Sequence, residues 1–167
     1  MLNYWLITMA KSFPVTTAIR FLRDNKIALE QFIYDYEEKG GTRQTSIELS
    51  VDEHSVIKTL IFMTENGKGI ICLQHGDKEV SAKELARTIG CKTLSPAPEA
   101  QAFKWTGYKF GGTSPFGTKQ SLPVYAEETI FDLPHIYING GKQGFIIKIS
   151  PQVLIDLLCA EKVKAAV

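Results

Sequence analysis

The sequence predicts an α+β fold: a single domain with a mixed, twisted β-sheet flanked by helices. Short β-branched runs come in pairs joined by glycine-containing turns, which is typical of paired strands. Helical spacing of apolar residues occurs near both ends of the chain and again between the strand pairs. A regular alternation of strand and helix is missing, so a doubly wound sheet is less consistent with the sequence. The length of 167 residues suits one domain with a substantial buried core.

Helical signals occur in four segments. Apolar residues three or four positions apart predict an amphipathic first helix, and a serine three residues before a glutamate gives a capping-box start to a central one. Proline in the first turn favours the helices near both ends. The predicted helices are the first one with Pro14, Val15, Ile19 and Leu22, a short one around Ser46–Leu49, a central one from Ser81 to Ile89, and a final one from Ser150-Pro151 through Leu158.

Strand signals are runs of β-branched, aromatic or alternating apolar residues bounded by turn residues. The predicted strands are Phe32–Tyr36, Val56–Met63, Gly69–Leu73, Ile136–Ile138 and Phe145–Ile149. The predicted turns are Glu37–Thr45, Glu65–Gly67 and Asn139–Gly144, of which the last is most simply a hairpin turn.

Composition limits the classes of function. Hydrophobic residues make up 44% of the chain and charged residues 22%, which is ordinary for a globular protein. The net charge of +1 gives no overall basic field, so strong nonspecific binding to nucleic acid is not expected. A local basic patch would still hold a few phosphates, weakly and with a strong dependence on salt.

The cysteines and histidines predict neither disulfides nor a metal site. Cys72, Cys91 and Cys159 are widely spaced, which favours a reduced, cytoplasmic protein. The three histidines are scattered, whereas a zinc site needs three or four converging ligands. Cys72 and His75 form a single short pair, a weak basis for Cys–His catalysis.

The N-terminal residues are predicted to lie outside the domain. The stretch MLNYWLIT at residues 1–8 is apolar, but it lacks the basic segment of a signal peptide and the length of a membrane span. Met9 opens a more conventional start. We therefore expect residues 1–11 to be an extension, with the true start at Met9, and residues 12–167 to be the domain.

Two features point to a ligand-binding cleft, each with a structural alternative. The stretch Thr106–Gly117 contains four glycines and a proline, so its glycines serve turn geometry or expose backbone N–H groups that hold an anion or an oxyanion. Lys58 shares one face of its predicted strand with Leu60 and Phe62. Its ammonium either reaches out to solvent from a strand edge or faces the cleft as a desolvated cation. Thr59 points to the opposite face of a regular strand.

Four motifs carry a family resemblance. They are VIKTL (Val56–Leu60), KELA (Lys83–Ala86), TGYKFGGTSPFGTKQSLPV (Thr106–Val124) and IYINGGKQG (Ile136–Gly144). In this order, from about Ser12 to Leu158, the chain resembles the YbaK/EbsC-type aminoacyl-tRNA deacylases, free-standing relatives of the editing domain inserted in bacterial prolyl-tRNA synthetases. The resemblance implies a mixed sheet with flanking helices, no metal and no organic cofactor.

The resemblance also implies a function and a site. We expect a trans-acting deacylase that hydrolyses the ester of a mischarged tRNA, namely tRNA-Pro carrying a small amino acid. The implied partners are the 3′ end and acceptor stem of aminoacyl-tRNA, with prolyl-tRNA synthetase or an elongation factor as a further partner, and neither DNA nor a membrane. The implied catalytic residues are Lys58, Gly111 and Gly112, and the implied substrate-binding residues are Tyr36, Thr59, Thr106, Gly107, Ser114, Pro115, Asn139, Gly140, Gly141 and Ile146.

The chain departs from the family pattern in its expected amino-acid pocket. Asn139 stands where members specific for cysteinyl-tRNA commonly have serine, and Ile146 stands where they have aspartate. The family's phenylalanine between Tyr36 and Lys58 has no clear equivalent. The resemblance therefore does not extend to cysteine specificity. A binding module of the same fold, which holds an aminoacyl-tRNA or a nucleotide without hydrolysis, is the alternative.

Overall fold

The computed structural model describes residues 12–167. The predicted extension at residues 1–11 and the predicted true start at Met9 lie outside the described residues. Among residues 12–167, no helix combines the length and apolar character needed to cross a membrane.

Five helices and eight strands make up the described chain. The helices are α1 (Thr17–Asp24), α2 (Gly41–Leu49), α3 (Ala82–Ile89), α4 (Glu99–Thr106) and α5 (Gln152–Leu158). The strands are β1 (Glu30–Ile33), β2 (Val56–Thr64), β3 (Gly69–His75), β4 (Leu94–Pro96), β5 (Val124–Glu127), β6 (Ile136–Lys142), β7 (Phe145–Ile149) and β8 (Glu161–Val163). Short 3₁₀ turns occupy Glu53–Ser55 and Glu128–Asp132.

All eight strands form one mixed sheet. Its order is β1-β7-β6-β2-β3-β5-β8, and β4 pairs separately with β2. The β6–β2, β3–β5 and β5–β8 pairs are parallel, and the other pairs are antiparallel. The predicted α+β class with a mixed sheet is confirmed.

Strand β2 shares one of its edges between two neighbours. Its pairing with β3 runs from Ile57 to Met63 and fills the other edge. On the shared edge, β6 pairs only with Val56 and Ile57, and β4 pairs only from Phe62 onward. The segment Lys58–Leu60 therefore lies where β6 and β2 part.

The two faces of the sheet cover separate clusters of buried side chains. Ile57 and Ile61 of β2 belong to the larger cluster, which includes residues of α1, β6 and β7. Phe62 belongs to a smaller cluster under α3, and Leu60 packs against it. Because side chains alternate along a strand, Lys58 shares its face with Leu60 and Phe62.

Several predicted boundaries are wrong at the ends of elements. Helix α1 begins at Thr17 because the Thr16 hydroxyl accepts a hydrogen bond from Ile19 N, and Val15 lies outside the helix with 52% of its surface exposed. Strand β1 ends at Ile33 instead of Tyr36. Beyond Ile33, the Gln44 side chain accepts from Glu37 N and donates to Asp35 O. These hydrogen bonds take the place of pairing with a neighbouring strand.

Other differences have long-range causes. Helix α2 begins at Gly41, inside the predicted polar turn. The predicted turn Asn139–Gly144 is partly strand, because β6 continues to Lys142 through a register shift. The sequence prediction missed α4 and the short strands β4, β5 and β8. Strands of three or four residues carry little periodicity of their own and depend on the neighbours they pair with.

Replacing Leu85 by alanine is expected to lower the free energy of unfolding by about 2–5 kcal/mol. Leu85 lies on α3, has no exposed surface, and packs in the smaller cluster with Phe62. Ile47→Ala on α2 is the control, since this side chain is 68% exposed and its loss is expected to change stability by about 0.5 kcal/mol or less. Urea unfolding measures both, and equal effects would contradict the packing assigned to α3.

Candidate functional site

Three of the predicted site residues lie on one face of three neighbouring strands. The β2–β6 ladder pairs Ile57 with Ile138, and the next residues along the two strands are Lys58 and Asn139. Asn139 in turn pairs with Ile146 of β7. Because the flanking isoleucines face the larger cluster, Lys58, Asn139 and Ile146 share the opposite face.

Asn139 connects this row to the glycine-rich loop. Its Nδ2 donates to the carbonyl oxygens of Gly111 at 3.0 Å and Lys142 at 3.2 Å. Its Oδ1 accepts from the N–H groups of Gly141 at 2.7 Å and Lys142 at 3.2 Å. A primary amide has two donor hydrogens and two acceptor lone pairs, so these contacts use its whole capacity. Asn139 therefore holds the bulge and the loop together and has no hydrogen-bonding group left for a ligand.

The loop glycines are required by close contacts. Gly111 has a φ of +82°, and a Cβ atom there would overlap the Tyr36 hydroxyl. A Cβ atom at Gly112 would lie 2.7 Å from Gln143 N, so only glycine allows the loop to pack on the β6–β7 turn. The structure thus brings Tyr36, Gly111 and Gly112 to the same end of the sheet as Asn139.

The two glycine amides are not equivalent. The Gly112 N–H donates to the Lys109 carbonyl oxygen at 2.9 Å and is used within the loop. The Gly111 N–H has no acceptor within residues 12–167. In this conformation only the Gly111 N–H of the glycine pair is available to a ligand carbonyl, whereas the sequence suggested that both N–H groups are available.

The Lys58 ammonium is held by the segment that follows β3. Nζ donates to the carbonyl oxygen of Lys78 at 2.6 Å and to Oε1 of Glu79 at 3.1 Å. The Lys58 side chain is 18% exposed, whereas that of Glu79 is 80% exposed. The cation is therefore mostly buried, whereas its carboxylate partner is exposed and can exchange with an anionic ligand.

The remaining predicted residues support the loop or lie elsewhere. Thr59 faces away from Lys58, and its buried hydroxyl has no hydrogen-bond partner among the described residues. Pro115 lines a separate groove of about 780 Å³. Four others hold the backbone through internal contacts: Thr106 donates to Ala102 O, Gly107 ends α4, Ser114 accepts from Phe116 N, and Gly140 accepts from Thr16.

A stacked histidine pair at the end of β3 was not predicted. The rings of His54 and His75 stack at 3.6 Å with an angle of 7° between them. His75 bonds to the His54 carbonyl oxygen at 2.6 Å and to the Thr129 hydroxyl at 2.7 Å, and His54 bonds to Asp77 at 2.8 Å. The two histidines are far apart in sequence and gave no spacing signal.

The cluster of His54, His75 and Asp77 stabilises the backbone and is not arranged to bind a metal ion. His54, His75 and Asp77 place possible metal-ligand atoms within 4.8 Å of one another. The lone pairs of an imidazole lie in its ring plane, so two face-to-face rings do not aim theirs at a common point, and both ring nitrogens of His75 already have partners. The cluster instead fixes residues 75–77, directly before the Lys78 carbonyl that receives Lys58.

Burial sets the protonation states around this support. Burial lowers the pKa of His75 below its usual value, so the ring stays neutral at neutral pH. Burial acts to raise the pKa of Asp77, but the His54 hydrogen bond and charge outweigh it and leave that pKa lowered. Burial also raises the pKa of Cys72 to about 12, which keeps this thiol protonated and excludes it as a nucleophile.

Asn139→Asp tests the connection between β6 and the loop. The substitution keeps the shape but replaces a donor by a carboxylate oxygen that faces two carbonyl oxygens. We expect the free energy of unfolding to fall by about 1–3 kcal/mol. Asn66→Asp in the exposed β2–β3 turn is the control, with little change expected. Thermal unfolding monitored by circular dichroism measures both, and equal effects would refute the assigned role.

The pH dependence of stability tests the buried state of His75. An unfolded histidine binds its proton near pH 6.5, whereas folded His75 binds it at lower pH, so just below 6.5 the unfolded state holds more protons. The free energy of unfolding should therefore fall as the pH falls from 7 towards 5.5. His75→Gln should flatten this decline, and His135→Gln, at an exposed site, should retain it. The stabilising contribution of Asp77, whose pKa is lowered, is retained over this range and is lost only as the pH falls below about 4.

Known proteins resemble this chain in sequence. The family model described as "Aminoacyl-tRNA editing domain" matches residues 40–157. A protein of Enterococcus faecalis, provisionally named a Cys-tRNA(Pro)/Cys-tRNA(Cys) deacylase (EbsC), is 25% identical over 148 residues, covering 88% of this chain and 90% of that protein. A proline–tRNA ligase of Streptococcus equi subsp. zooepidemicus is 31% identical over 97 residues, which cover 58% of this chain and 16% of the ligase.

Solved structures share the fold. One described provisionally as a trans-editing enzyme for prolyl-tRNA synthetase has a TM-score of 0.79 at 19% identity, covering 92% of this chain and 99% of its own. The family model spans well over half of the sequence, and the resemblance carried by the four motifs is confirmed. The chain belongs to the aminoacyl-tRNA editing domain family.

Proposed function

We propose that this protein is a trans-acting aminoacyl-tRNA deacylase that hydrolyses the ester of a mischarged tRNA, with tRNA-Pro carrying a small amino acid as the substrate. The observation that carries the proposal is the junction at Asn139. Lys58 follows the last β2–β6 pair, and Asn139, which follows that pair on β6, donates to the Gly111 carbonyl oxygen; both observations support a site where β2 and β6 part. A cation whose carboxylate partner is exposed and a backbone N–H without an acceptor among the described residues suit a substrate with a phosphate and an ester carbonyl.

The chemistry needs only these groups and water. The Lys58 ammonium exchanges the exposed Glu79 carboxylate for the phosphate or ribose oxygens of the terminal adenosine. The Gly111 N–H donates to the ester carbonyl oxygen and stabilises the negative charge that develops there. Water attacks the carbonyl carbon, the bond to the ribose oxygen breaks, and a proton passes to that oxygen. The products are the free amino acid and a tRNA with an intact terminal diol.

The surrounding face favours a small, apolar amino-acid side chain. Ile146 lies between Phe32 of β1 and Asn139 of β6 in the strand register. Ile146 is 4% exposed, and Asn139 has no free polar group to offer. An apolar surface discriminates between substrates mainly by size, so exclusion of the larger correct amino acid is the expected basis of selectivity.

Substrate delivery by a partner fits the charge of the chain. A net charge of +1 gives little long-range attraction for tRNA. We therefore place residues 12–167, as one editing domain, in the cytoplasm beside prolyl-tRNA synthetase or an elongation factor that already holds the acceptor end.

A binding module without hydrolysis is the second candidate. The Gly112 amide favours it, because this group bonds to Lys109 O and leaves the loop one free donor of the pair. Tight binding of charged tRNA, with no release of any amino acid, would establish this alternative.

Deacylation of a tRNA panel tests the proposal. The panel carries alanine, cysteine, serine, threonine and proline, and release of the amino acid is followed over time. Lys58→Ala should lower the rate at subsaturating substrate about 10- to 150-fold, because the cation that binds the phosphate or ribose oxygens of the terminal adenosine is lost. Circular dichroism checks that each variant is folded.

Lys148→Ala provides the matched control. Lys148 also lies on a strand of this sheet, is 26% exposed and faces a glutamate, Glu30, at 3.8 Å. Its loss should leave the rate within about twofold of wild type. An unchanged rate in a folded Lys58→Ala protein would overturn the site.

A further inference from the structure

Phe110 is an exposed aromatic side chain at the start of the glycine pair. It is 44% exposed, although phenylalanine is among the residues most often buried. It directly precedes Gly111, whose amide is the free backbone donor of the site. Its exposure therefore occurs beside the proposed reaction centre.

The backbone that carries Phe110 is held on both sides. Its carbonyl oxygen accepts from Gln143 Nε2 at 2.8 Å, and Gly111 O accepts from Asn139 Nδ2 at 3.0 Å. The Gly112–Lys109 hydrogen bond closes the turn around it. The ring is thus presented from a fixed backbone, which lowers the ordering cost of a ligand that stacks on it.

Two lysines lie on the backbone segments beside Phe110. Lys109 is its sequence neighbour, and Lys142 lies on the turn against which Gly112 packs. Both lysines are exposed, and neither forms an ion pair with any residue from 12 to 167. An exposed aromatic ring on a segment with unpaired lysines is the combination by which proteins hold single-stranded nucleic acid, with bases stacked and phosphates neutralised.

We propose that Phe110 is a stacking platform for a base of the unpaired 3′ end of RNA, and that Lys109 and Lys142 contact the adjoining phosphates. This inference rests on the proposed function, since it positions the 3′ end whose ester is cleaved. The stacked base fixes the chain entering the site, and the terminal ribose then reaches Gly111.

Phe103 is a matched comparison within the same protein. It is 43% exposed, almost the same as Phe110, but it lies on α4. The ammonium of Lys119 already lies over its ring, 5.3 Å from the centroid. One face of Phe103 is therefore taken by a cation, and it serves as the control for loss of an exposed aromatic ring.

The test uses an uncharged RNA hairpin with a single-stranded CCA 3′ end that carries 2-aminopurine at its last position. Binding is measured by fluorescence anisotropy and stacking by quenching of the 2-aminopurine emission, so neither readout requires hydrolysis. Phe110→Ala should weaken binding about 5- to 150-fold and abolish the quenching, whereas Phe110→Trp should retain both. Phe103→Ala should bind within about twofold of wild type.

The lysines are tested by salt dependence. Lys109→Ala and Lys142→Ala should each reduce the slope of log affinity against log salt concentration by about 0.7, the value for one phosphate on a single strand. Wild-type slopes in both variants would overturn the phosphate contacts. A blunt hairpin without the CCA end should lose the difference between Phe110→Ala and wild type.

The outcomes separate this inference from the proposed function. Loss of RNA binding and quenching in Phe110→Ala, in a protein that hydrolyses no charged tRNA, would support the platform and reject the deacylase. Deacylation with unchanged kcat and KM in Phe110→Ala, together with wild-type RNA binding, would reject the platform and leave the deacylase intact. Equal losses in Phe110→Trp and Phe110→Ala would also overturn stacking.

Discussion

The hydrogen bonding of Asn139 is the constraint on which the arrangement of the site depends. Strands β2 and β6 pair over two residues only and then part, which leaves backbone groups of β6 without a ladder partner. The Asn139 side chain supplies four hydrogen bonds at this point, to the bulge of its own strand and to the glycine loop. The position of Gly111 relative to Lys58 is set by the β2–β6 register and by the hydrogen bond from the Asn139 side chain to Gly111 O.

The parts of the site differ in how firmly they are held. The glycine loop is packed on the β6–β7 turn with no room for a Cβ atom, and the stacked histidines fix the segment that receives Lys58. The groups proposed to meet the substrate are the less satisfied ones: the Gly111 N–H, the Lys58 ammonium with its exposed partner, and the Phe110 ring. Rigid support around a few free donors is the arrangement that electrostatic catalysis requires, because the donors need not reorganise during the reaction.

Local signals in the sequence predicted the elements that form through local contacts. The spacing of Ser81 and Glu84 correctly predicted the start of α3, where Ser81 Oγ accepts from Glu84 N. The turn at Glu65–Gly67 correctly predicted the pairing of β2 with β3. The missed elements depend on distant partners. Strand β8 pairs with β5 from more than thirty residues away, and α2 begins at two glycines because the Gln44 side chain binds the preceding backbone.

The candidate site divides in the same way. Lys58 and the glycine pair stood out by residue type and by the family motifs, and the structure brings both to one end of the sheet. Two properties were beyond the sequence: the internal use of the Gly112 amide and the histidine support behind Lys58. The Gly112 bond closes a local β-turn, and the sequence did not distinguish this turn from a loop with exposed N–H groups. The histidine support depends on a contact between residues that are far apart along the chain.

The two departures from the family pattern have different physical consequences. All donors and acceptors of the Asn139 amide bond to protein backbone, so the amide stabilises the bulge. It has no free polar group with which to recognise the amino acid of the substrate. Ile146 pairs with Asn139 across the β6–β7 ladder, and its aliphatic side chain cannot form a hydrogen bond. A buried polar group that is left unpaired costs free energy, so an apolar Ile146 disfavours substrates with a hydroxyl directed at it. Any change of amino-acid preference relative to other family members is therefore expected to arise at Ile146, with Asn139 acting only through the loop.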